Sequence, residues 1–110
     1  MEKLEKYKYH YRLGHDSDKM LIEFISKVES ENFGTDLFDA LREIDPILIG
    51  HEDLFMNDET LYYVKTNLGQ FMLSKDIWNF AFIMSEDNQA CVNQINNLLF
   101  KDHRFEKIEV

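Results

Sequence analysis

Residues 6–13 alternate strictly, and that alternation restricts the fold more than any other feature of the chain. Tyr7, Tyr9, Tyr11 and Leu13 share one parity; Lys6, Lys8, His10 and Arg12 share the other. A period of two with aromatics on one side is the signature of a half-buried strand. The cationic side discourages edge-to-edge pairing. The domain must therefore contain a sheet with one wet face.

The chain then changes period. Asp16 or Ser17 can cap a helix, and Leu21, Phe24, Ile25 and Val28 recur at helical spacing, which predicts a helix near 17–31. Thr35 opens a second predicted helix, 36–44, which Pro46 stops. Ile47, Leu48 and Ile49 read as a short buried strand or an apolar loop plug. Thr60–Thr66 and Gln70–Ser74 flank Asn67-Leu68-Gly69, a hairpin with glycine at the left-handed position. Ile77–Met84 is apolar on both sides except at Asn79, which predicts an interior strand. Trp78, Phe80 and Phe82 would share one face of it, and an exposed Trp78 would be an interface anchor.

Ser85, Asp87 or Asn88 caps a third predicted helix, 87–100, and Arg104–Val110 returns as a last strand. Cys91, Val92, Ile95, Leu98 and Leu99 form the inner stripe of that helix, so the Cys91 thiol is expected to be buried and inert. Gln89, Asn93, Gln94, Asn96 and Asn97 form an amide face opposite. Strands in runs with segregated helices predict a single α+β domain over 1–110: a mainly antiparallel sheet with about three helices packed on it.

Charge is distributed unevenly. The chain has 21 Asp and Glu against 12 Lys and Arg, a formal charge of −9. Residues 16–59 hold thirteen of those acids and three of those bases. Neutralising phosphates needs clustered cations, so nucleic acid and anionic membrane surfaces are excluded as partners, and a basic protein fits. On a helical wheel, Asp36, Asp39 and Glu43 face away from Leu37, Phe38, Leu41 and Ile44, with Arg42 beside them. Asp45 follows, and Glu52, Asp53, Asp58 and Glu59 make a second acidic group. These eight carboxylates are the expected partner-binding residues.

Other chemistry is sparse. His51 beside Glu52 or Asp53 is the one acid–base candidate, and the spacing is poor because consecutive side chains diverge. His10, His15 and Asp16 already have structural roles at a strand end and a helix cap. Phosphate loops, zinc ligand sets and nucleophile elbows are missing from the sequence, so no metal or cofactor is expected. One cysteine cannot form an internal disulfide, and no apolar run follows the N-terminal basic residues. The longest strongly apolar stretch, Ile77–Met84, is far shorter than a membrane helix. A cytoplasmic protein is the expectation.

Small size, acidity, a mixed helix and strand pattern and the want of a catalytic motif resemble the profile of bacterial toxin-neutralising immunity proteins. The resemblance implies a non-enzymatic inhibitor of a basic toxin domain, often a nuclease. It carries over no residue. An adaptor subunit docking through the amide face, and a small enzyme built on His51, are the competing expectations.

Overall fold

A computed structural model describes residues 6–109. The alternating segment forms β1 (Tyr7–Leu13), with Tyr7 and Tyr9 buried. β2 (Met20–Phe24) pairs antiparallel to it, and after a loop comes α1 (Phe33–Ala40) with a 3-10 turn at Arg42–Ile44. β3 (Ile47–Leu54), β4 (Glu59–Thr66), β5 (Gly69–Asp76) and β6 (Ala81–Met84) follow as an antiparallel meander. α2 (Gln89–Lys101) then leads to β7 (Phe105–Lys107), which lies parallel to β1. One sheet results, in the order β3-β4-β5-β6-β2-β1-β7.

The expectation of about three helices on the sheet is overturned. The described residues hold two α-helices on a seven-stranded mixed sheet. Residues 17–31 are not helical: Met20–Phe24 is a strand between β1 and β6. Its apolar residues fit a period of two as well as 3.6, and pairing on both edges decides the matter. The helix expected over 36–44 begins earlier, at Phe33, and breaks into the 3-10 turn before Asp45. The third expected helix is α2, and the Asn88 side chain caps it by accepting from the Cys91 amide at 3.3 Å.

The interior strand expected over Ile77–Met84 shrinks to Ala81–Met84, which does lie between β5 and β2. Residues 77–80 are the β5–β6 hairpin loop. The Asp76 carboxylate accepts from the Trp78 and Phe80 amides at 2.9 and 3.1 Å, and Asn79 is left-handed. That closed Asx turn ends the strand. Trp78 and Phe80 therefore do not share a strand face with Phe82. The final strand is also shorter than Arg104–Val110, and Val110 lies outside the described residues.

Register fixes the two faces of the sheet, because residues directly opposite each other point the same way. Tyr9, Phe24, Ile22, Ile83, Leu73 and Val64 share the face beneath the helices and are buried there. Phe33, Leu37, Leu41 and Ile44 come down from α1 and its 3-10 turn; Cys91, Val92, Ile95 and Leu99 come down from α2. Phe33 meets Phe24 edge-on at 5.1 Å and Tyr7 at 5.5 Å. Among the described residues the opposite face carries no helix, and it holds an Arg12–Glu23 ion pair at 2.9 Å. Burial pushes the Tyr9 hydroxyl up to about 12 and raises the Cys91 thiol, so both stay protonated and unreactive near neutral pH.

The β4–β5 hairpin depends on Gly69, whose φ is +107°. A Cβ there would also collide with the Asn88 amide, which caps α2 and donates to the Leu68 carbonyl at 2.6 Å. Gly50 has open space around it. Gly69→Ala is expected to lose about 2 kcal/mol through backbone strain and the displaced cap. Gly50→Ala should change stability by less than about 0.5 kcal/mol. Thermal denaturation of the two variants checks the contrast.

Candidate functional site

The eight carboxylates expected to bind a partner do not form one surface. Four lie on α1 and its 3-10 turn, four along the β3–β4 hairpin. Asn67 ties the first group to the far end of β4, since its amide donates to the Ile44 carbonyl at 2.8 Å. Asp58 and Glu59 stand at the near end. The eight-residue β4 between them spans about 25 Å.

Half of the α1 group, Asp36 and Asp39, is consumed by the fold. Arg104, at the start of β7, donates to Asp102 at 2.7 Å, to Asp39 at 2.9 Å and to Asp36 at 3.4 Å. Tyr7 donates its hydroxyl to Asp36 at 2.6 Å. Arg42 approaches Asp39 at 3.7 Å. Asp36 and Asp39 are thus clasped to the α2–β7 corner rather than turned out alone, and the wheel saw only Arg42. The Arg104 bonds hold the Asp102 carboxyl below its ordinary range against the opposing effect of burial. The same bonds, with Asp102 first, raise the Arg104 guanidinium further. Asp45 serves its turn by taking φ of 52°, and Glu43 is exposed beside it.

The hairpin group sits differently. Asp53 accepts from the Thr60 hydroxyl at 2.9 Å, and Glu59 from Ser74 at 2.5 Å on the face opposite the helices. Asp58 is left-handed and closes the loop. The Glu52 side chain has no hydrogen bond or ion pair among the described residues. This end of the sheet gathers exposed apolar residues, of which the sequence marks Trp78 as a candidate anchor but not Phe55, Met56 or Ile77. Phe55 and Met56 cap the β3–β4 loop at 84% and 97% exposure, and Ile77 and Trp78 stand in the neighbouring loop at 66% and 60%. The Ile77 amide donates to the Asp58 carbonyl at 3.1 Å and ties the two loops together. Between them lies a hollow of about 290 Å³ lined by Phe55, Ile77, Asp53, Asp58, Glu59 and Asp76, with Lys75 its one cation. A larger groove of about 730 Å³ continues past Tyr62 and Lys75 to Phe33, Phe38 and Leu48 under α1. The signal available in the sequence was an apolar pair, Phe55-Met56, inside an otherwise acidic hairpin loop.

Ile47, Leu48 and Ile49 are neither a buried strand nor a plug: they begin the outermost strand and are half exposed. His51 and Glu52 point to opposite faces of that strand, so they cannot act as a pair. His51 shares a face with Asp53 but is not bonded to it; its ring lies 6.1 Å from that of Tyr62. Among the described residues no cluster of three His, Cys, Asp or Glu could hold a metal ion. The amide face of α2 is partly used inside the molecule. Gln89 clasps the Met20 backbone from both sides at 2.8 and 3.1 Å, and Asn96 is buried. Among the described residues no helix is long and apolar enough to cross a membrane. Comparison with family models, curated proteins and solved structures gives no match.

The Asp102 pairing has a pH signature. A carboxyl held low in the folded chain stabilises it above the unfolded pKa, near 3.8, and that contribution fades as pH falls through the folded value. Asp102→Asn is expected to destabilise by about 2 kcal/mol at pH 7, the range for a charged hydrogen bond. The gap to the unmodified protein should close below pH 3.8. Urea denaturation at pH 7, 5 and 3 measures it.

Proposed function

We propose that this chain is a binding protein that neutralises a basic protein partner in the cytoplasm, as toxin-neutralising immunity proteins do. The observation that carries the reading is the tied pair of loops at one end of the sheet. Four large apolar side chains stand in solvent there: Phe55, Met56, Ile77 and Trp78. Carboxylates surround them. Desolvated aromatic anchors supply most binding energy at interfaces, and a charged rim supplies steering. An acidic rim favours a partner rich in Lys and Arg, and raises its association rate at low salt.

The acidic group on α1 is a weaker candidate, because Arg104 and Arg42 offset it. Reversing Asp39 would place a third cation beside those two and harm the fold. Glu52, Asp53, Asp58 and Glu59 are the carboxylates this reading keeps.

The test is a growth assay. Each reading frame flanking the gene is expressed alone and together with this chain. One frame is expected to arrest growth alone and to be tolerated with it. Trp78→Ser combined with D58N, which removes the charge and keeps a residue that tolerates the left-handed turn, should abolish protection while leaving the melting curve in place. For the purified pair, the dissociation constant should rise steeply between low and physiological salt. A protective chain indifferent to Trp78→Ser and D58N would overturn the assignment of this end, and flanking frames that are harmless alone would overturn the immunity reading.

A further inference from the structure

The sheet ends at β3, and nothing among the described residues lies beyond it. Its outer edge presents unpaired backbone N–H and C=O groups, a template for another strand. The opposite edge, β7, is three residues long and offers little. On β3 a register shift at Ile49 interrupts regular pairing with β4, leaving Gly50–Leu54 as the even part of the edge. That stretch carries His51, Glu52 and Asp53, all exposed, and between Ile47 and Glu59 there is no Lys or Arg. Natural edges are commonly guarded by lysine; this one is guarded by carboxylates, one on each face of the strand.

Resting on the proposed basic partner, we infer that the partner donates an extended, basic segment that pairs antiparallel with Gly50–Leu54 as an eighth strand. Consecutive basic residues on the incoming strand point to opposite faces, as Asp53 and Glu52 do, so an Arg-Arg or Lys-Lys pair meets both carboxylates at once. Strand addition takes its affinity from main-chain bonds and its selectivity from the side chains alongside. The same carboxylates reject a second copy of this acidic chain in the matching register, because like charges opposed across strands repel. Beyond the bulge, the half-exposed Leu48 and Ile47 continue the contact for an apolar residue of the partner.

The probe is a blocked octapeptide, Thr-Val-Arg-Arg-Thr-Val-Thr-Val, added to the whole protein at low salt and followed by amide NMR. Setting both arginines against both carboxylates fixes which edge of the peptide meets β3. Two isomers N-methylated on alternate residues, one set per edge, should therefore differ about tenfold in affinity, since one set blocks the new ladder and the other faces solvent. Outward amides within Gly50–Leu54 should exchange about tenfold more slowly at saturation, and E52K combined with D53K should weaken binding about tenfold. Equal affinity of both isomers with no protection of β3 would sink strand addition while leaving the basic-partner reading intact. Affinity untouched by E52K and D53K would instead sink the basic character of the segment. Concentration-dependent protection of β3 without peptide would give the edge to a second copy and overturn the inference.

Discussion

Two helices on one face of a seven-stranded sheet set the limits for everything else in this molecule. Six interstrand spacings make the sheet about 29 Å wide. A packed helix covers about 10 Å, so α1 and α2 together shield about 20 Å of it. The shortfall falls at the β3 side, because α2 packs on β2, β5 and β7 and Phe33 of α1 packs on Tyr7 of β1 and Phe24 of β2. β3 and the ends of its neighbours must then live in water. The same imbalance leaves the opposite face without a helix among the described residues, where partly exposed Phe82, Met84 and Met72 are interleaved with the Arg12–Glu23 pair.

The parts of this arrangement that were legible in the sequence are those whose pattern admits one period. β1 alternates without exception, the α2 stripe fits 3.6 residues and no other repeat, and Gly69 marks its hairpin. Met20–Phe24 was not legible, because five apolar-rich residues satisfy both periods and only the flanking strands choose between them. The 77–80 loop carried a readable signal in Asp76 and Asn79, both turn formers, which the surrounding hydrophobicity masked. Apolar residues predicted to be inside, Trp78 and Ile49 among them, lie outside because the sheet outgrows its cover. Hydrophobic pattern reports a preference for burial, and the available cover decides how much of it is met.

Charge was misread for a related reason. A helical wheel sees neighbours within one helix, whereas Arg104 reaches Asp36 and Asp39 across more than sixty residues of sequence. One guanidinium shared among three carboxylates turns the α2–β7 corner into a clamp on α1. The carboxylates that no arginine takes are therefore Glu43 and Asp45 at the 3-10 turn and the four of the β3–β4 hairpin. Of the eight expected residues, Glu43, Asp45, Glu52 and Asp58 have no side-chain bond among the described residues, Asp53 and Glu59 are each held by one hydroxyl, and Asp36 and Asp39 are taken by arginine.

Exposure alone does not make a binding surface, since a mobile apolar loop loses in ordering what it gains in contact. Here the two loops are fixed before any partner arrives. Asp58 and Asn79 hold left-handed turns, the Asp76 carboxylate closes the second loop on itself, and the Ile77 amide bonds to the Asp58 carbonyl of the first. Phe55, Met56, Ile77 and Trp78 are consequently displayed on paired hairpin ends that share a backbone bond. Such an arrangement lowers the entropy lost on docking, and in these loops it is built from the acidic residues Asp58 and Asp76. Asp58 through its left-handed backbone and Asp76 through its carboxylate shape the loops, and both add negative charge beside the apolar side chains.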